Sequence, residues 1–177
     1  MDANFAELLH AWHDFYVLIG TAAATLIGLM FVAASIASSY MTERHKAGLQ
    51  AFFSPTVVHF ATVLITCVVV LAPLAATHLA ALLLVIGGIG VGYASFVWVR
   101  MGRGGFTATI DLADRFWYAL SPVAGHVLLV AAALMLLVLR DGHGLEVLAI
   151  AVVLLLLAGI RNAWDITAWA VTRSGRI

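Results

Sequence analysis

Two histidines stand at matching places in an otherwise oily chain. Ser54-Pro55-Thr56-Val57-Val58-His59 and Ser121-Pro122-Val123-Ala124-Gly125-His126 both read S-P-x-x-x-H. An imidazole inside an apolar helix can pass a proton, bind a metal or haem iron, or donate a hydrogen bond to a neighbouring helix. At 1.5 Å of rise per residue, each histidine lies about 6 Å beyond its proline, so both are expected at one depth. An ionisable group within a bilayer is costly and faces protein or water, which makes both rings candidates for function.

Arg161 and Asp165 are the other ionisable pair near the end of an apolar run. Residues four apart share a helix face, so the two can pair. With His59 and His126 they would form a pore or ligand cluster near one leaflet. Two simpler roles stand beside that one. Arg161 and Asp165 can snorkel to the headgroups, and each imidazole can act as interhelical glue.

His10, His13 and Asp14 lie in the amphipathic leader ELLHAWHDF. They are weak metal candidates, because i,i+3 histidines lack a fixed third ligand and an interfacial helix with a wet polar face explains them as well. Ser54, Pro55, Ser121 and Pro122 have a local explanation. Proline suits the first helical turn and a preceding serine can cap, so both S-P pairs are expected at helix starts.

The elements that must position these groups follow from composition. The chain has 177 residues, 64% of them hydrophobic and only 10% charged, whereas soluble domains carry roughly a quarter charged residues. Nine basic residues balance nine acidic ones, so there is no basic surplus for a nucleic acid partner. The single cysteine, Cys67, excludes a disulfide framework. No nucleotide loop, H-E-x-x-H, G-x-S-x-G or C-x-x-C-H occurs, so no enzyme chemistry and no cofactor is expected.

The fold expected is all-α: one transmembrane domain over 1–177 with five spans at about 15–39, 56–76, 78–99, 118–139 and 145–169. Continuous apolar runs of about 20 residues fit helices and not barrel strands. Lys and Arg concentrate in 40–55, in 100–117 and at the C-terminal end, with only Arg140 elsewhere. That asymmetry places the N-terminus outside and the C-terminus in the cytoplasm, in the inner (cytoplasmic) membrane of a cell.

The two S-P-x-x-x-H helices each precede a helix with an echoing pattern: Gly88-Ile89, Tyr93 and Trp98 against Gly159-Ile160, Trp164 and Trp169. The plan expected is a tandem repeat of hairpins 2–3 and 4–5, with the first helix added in front. Gly20, Ala24 and Gly28, and Gly88 with Gly92, form small-residue rows expected at helix contacts, within one chain or between copies.

These features point to a small oligomeric channel or transporter for protons or small ions. The alternatives are a non-catalytic scaffold or accessory subunit, and a redox subunit holding haem b between His59 and His126. The partners expected are the lipid bilayer, further copies of the chain and an accessory protein.

Overall fold

The computed structural model describes residues 3–40, 43–103, 116–139 and 142–174. Every element among them is helical: α1 (Ala3–Tyr40), α2 (Glu43–Leu71), α3 (Ala76–Arg103), α4 (116–139) and α5 (Gly144–Ser174). Helix α4 is α-helical over Ser121–Leu134 and carries a wider π turn at each end, Phe116–Leu120 and Met135–Leu139.

Four helices are long and apolar enough to cross a membrane, over Phe5–Ser35, Ala76–Val99, Ser121–Leu139 and Gly144–Asp165. Helix α2 adds a shorter apolar stretch, Pro55–Leu71. The surface agrees with an apolar solvent. Leu18, Phe31, Ile89, Val138 and Trp164 are exposed, while Thr56, His59, Thr66, Ser121, His126 and Asn162 are buried. A water-soluble bundle has the reverse arrangement. By length, composition and surface, these helices are those of a bundle suited to a membrane.

Three sequence expectations change in detail. The second apolar run was expected to reach residue 76, but α2 ends at Leu71 and a turn around Pro73 follows. Proline supplies no N–H and its ring crowds the preceding helical turn, so the helix stops short. The S-P pairs differ: Pro55 lies inside α2, whereas Pro122 stands in the first turn of the α-helical part of α4, directly after the π turn. Ser121 caps nothing. Its hydroxyl donates to the Trp117 carbonyl at 3.4 Å, and the side chain of Ser54 lies outside the described residues. Finally, the leader with His10 and His13 is not a separate interfacial helix. It is the first part of α1, whose 38 residues rise about 57 Å, well beyond a hydrocarbon core of about 30 Å.

The helices run up and down with close packing of α2 on α5, α5 on α4 and α4 on α3, while α3 also touches α2. These four therefore form a ring in which α2 and α4 face each other across the centre. Helix α1 lies outside it, packed along α2 and touching α5. The Tyr16 hydroxyl ties that corner by donating to the Leu145 carbonyl at 2.8 Å.

Small residues set the separations within the ring. The buried stripe of α3 runs Ala76, Leu79, Leu83, Gly87, Gly90 and Ala94. A methyl at Gly87 would press on Leu129 and Val130 of α4, and one at Gly90 would collide with the His126 ring. Gly88 and Gly92 face outward with nothing within 4 Å. On α1, Gly20 lies against Cys67, whereas Ala24 is exposed and Gly28 meets nothing. Rows spaced strictly by four drift about 40° per step around a helix of 3.6 residues per turn. Nearly parallel helices instead meet along seams that alternate three and four, as Tyr16, Gly20, Ala23 and Met30 do.

Candidate functional site

The facing of α2 and α4 brings His59 and His126 together at the axis of the ring. Their ring centroids are 5.9 Å apart with the planes inclined by 51°. Both are buried, at 3% and 0% exposure. His126 is held by its own helix and by its neighbour. Its Nδ1–H donates to the Pro122 carbonyl at 2.7 Å, and the flat side of α3 at Gly90 receives the ring. A carbonyl oxygen only accepts, so the hydrogen sits on Nδ1 and Nε2 presents a lone pair.

The pair is not satisfied by protein. His59 Nδ1 and His126 Nε2 are buried without a hydrogen-bond partner among the described residues, and so is Asn162 Oδ1. Each such atom costs about 1–3 kcal/mol when left dry. Beside His59, the residues Pro55, Tyr93, Ala94, Val97, Tyr118 and Pro122 line a crevice with about 10 Å³ of room, close to that of one water. Three helices contribute to it, and its lining is mostly apolar, with His59, Tyr93 and Tyr118 as the side chains that carry polar atoms.

Arg161 and Asp165 do meet each other, with Arg161 Nε 3.1 Å from Asp165 Oδ2. They do not line the crevice. The Tyr118 hydroxyl donates to the same Oδ2 at 2.8 Å, and Tyr118 lines the crevice together with His59. Asp165 is partly exposed, whereas His59 and His126 are buried. Asn162 occupies the interior that Arg161 and Asp165 do not reach, because one residue of helix rotates a side chain by about 100°. Gly159 packs on Phe60, and Asn162, three residues on, lies on that same buried face of α5.

His10, His13 and Asp14 are all exposed. His13 Nδ1 lies 3.1 Å from Asp14 Oδ1, and the His10 and His13 ring centroids are 6.5 Å apart. No group of three or more ligating side chains that could hold a metal occurs among the described residues.

Comparison with protein-family models, curated proteins and solved structures finds no match to this chain. The site is therefore read from its own geometry. Two imidazoles at this spacing suit axial ligation of an iron, yet the residues present do not fit a haem. The crevice is water-sized, and Gly90 closes directly on His126, so no slot admits a macrocycle.

The sequence carried a signal for Tyr118 that spacing alone exposes. Tyr118, Pro122 and His126 follow one another at intervals of four, so they share one face of α4. Gly90 had no such signal. Its role depends on which helix lies opposite.

Proposed function

We propose that the chain is a small membrane channel or transporter for protons, working through the His59–His126 pair, with Arg161 and Asp165 at the mouth. The observation that carries this reading is the contact of two buried imidazoles, each with a nitrogen unpartnered among the described residues, with His59 lining a water-sized crevice. Imidazole is the side chain suited to gaining and losing protons near neutral pH. A crevice for about one water favours protons over hydrated metal ions, which need several oxygen ligands.

The reading extends to topology. With α2 counted as a span, five helices cross the inner membrane, the N-terminus lies outside, and the Asp165 end with its basic flanks faces the cytoplasm. Positions of α2 and α4 across the ring agree with duplicated hairpins related by an axis along the bundle. His59 and His126 would then be equivalent residues meeting at that axis. One copy supplies the whole site, so proton transfer does not require a ring of copies.

The test is proton flux into liposomes containing the purified protein. Flux in the wild type and its loss in His59→Ala with His126→Ala supports the reading. Undiminished flux in that double variant removes the pair from the role. A second reading, a non-catalytic scaffold, is favoured by the dry packing between the pair and the Tyr16 end. It expects no flux from any variant and changes in stability alone.

A further inference from the structure

We infer that Tyr118 is the proton-carrying link between Asp165 on the rim and the buried imidazole pair. This rests on the reading that His59 and His126 handle protons, and it names how those protons reach the aqueous phase. Three observations meet at this residue. Its hydroxyl donates to Asp165 Oδ2 at 2.8 Å. Its side chain lines the same crevice as His59. It sits in the π turn Phe116–Leu120, a wide turn that recurs at functional sites in helices.

Asp165 is suited to exchange with water, since a quarter of its side chain is exposed at 25%, while the imidazoles are almost wholly covered. On the way out, an imidazolium ring N–H gives its proton to a water in the crevice. That water passes a proton to the Tyr118 oxygen as Tyr118 releases its own to Asp165 Oδ2. One O–H bond forms and one breaks at Tyr118, so the phenol is unchanged. The net result is a neutral imidazole and a protonated carboxyl group, with no electrons exchanged. Arg161 forms an ion pair with the same oxygen, its Nε 3.1 Å from Asp165 Oδ2. Tyr16, whose hydroxyl donates to the Leu145 carbonyl away from the crevice, provides the control.

The experiment measures exchange of the ring N–H protons of His59 and His126 with water, by NMR of ¹⁵N-histidine protein in lipid nanodiscs. Tyr118→Phe keeps the ring and removes only the hydroxyl. It is expected to slow exchange about a hundredfold, the scale of a positioned proton-transfer group. Asp165→Asn, a rim substitution, is expected to slow it as well, Asp165→Glu to restore it, and Tyr16→Phe, at a buried tyrosine outside the crevice, to leave it as in the wild type. Unchanged exchange in both Tyr118→Phe and Asp165→Asn overturns the inference. So does faster exchange in Tyr118→Phe, which would make Tyr118 a barrier and not a carrier. The transport reading is separated by flux. Tyr118-dependent exchange without any flux rejects transport and keeps the link, whereas flux that needs the histidines but not Tyr118 rejects the link alone.

Discussion

The two halves of the ring are built from the same helices and differ in what they enclose. Toward the Asp165 end lie His59, His126, Asn162, Thr56 and the crevice beneath Tyr118. Toward the Tyr16 end, Leu79, Leu83, Leu129, Leu136, Leu148 and Val152 fill the interior. Apart from Thr66 and the bonded Tyr16 hydroxyl, the described core of that half is apolar. From Gly90 to Ala76, about 21 Å of α3 faces this dry packing. Among the described residues, the first half thus leaves atoms of His59, His126 and Asn162 unpartnered near a space for water, whereas the second leaves Thr66 Oγ1 so within close apolar packing. The polar side of the ring is backed by an apolar, closely packed half.

Substitutions that treat the halves differently test this contrast. The largest effect is expected at Gly90→Leu, where the new side chain must displace the His126 ring; overpacking of this kind costs about 3 kcal/mol. Gly88→Leu, two positions away on the open face, is expected to stay within about 0.5 kcal/mol, so equal losses in detergent unfolding would mean that α3 does not present Gly90 inward. Next is Leu148→Ala in the dry half. Lipid is as apolar as leucine, so only the cavity term remains, and unfolding should show a loss of about 2 kcal/mol with proton exchange at the histidines unaltered. Faster histidine exchange in that variant would show the seal to be thin.

Thr66→Val removes a buried hydroxyl that has no partner among the described residues and keeps the shape. It is expected to stabilise by about 1 kcal/mol, and a loss instead would mean that this hydroxyl holds water on a path through the dry half. The smallest change is expected from Tyr16→Phe, which forfeits one hydrogen bond to the Leu145 carbonyl. Bonds between membrane helices average about 0.6 kcal/mol, so a midpoint shift close to the error of unfolding is the expected result.

Much of this was legible before any coordinates. Long apolar runs fix helices because an unpaired peptide group in lipid is too costly to leave open. The matched S-P-x-x-x-H segments marked the residues that meet at the axis, since equal offsets in helices of one rise give equal depths. Pro55 misled. Its N–H is absent wherever it sits, so sequence could not tell a helix start from a helix interior. Gly88 and Gly92 misled in the same way, because a small-residue row does not state which side of the helix a neighbour occupies.

Sequence by itself determined that the chain is helical and apolar outside, and that two imidazoles share a level. Those properties depend only on local rise, side-chain type and the cost of exposing backbone to lipid. Tertiary structure alone decided that α2 and α4 face each other, that Gly90 receives His126, and that Tyr118 joins Asp165 to the crevice. Each of these is a rotation of one helix about its axis against another. Such rotations are set by how all the side chains of the ring interlock, which no single helix encodes.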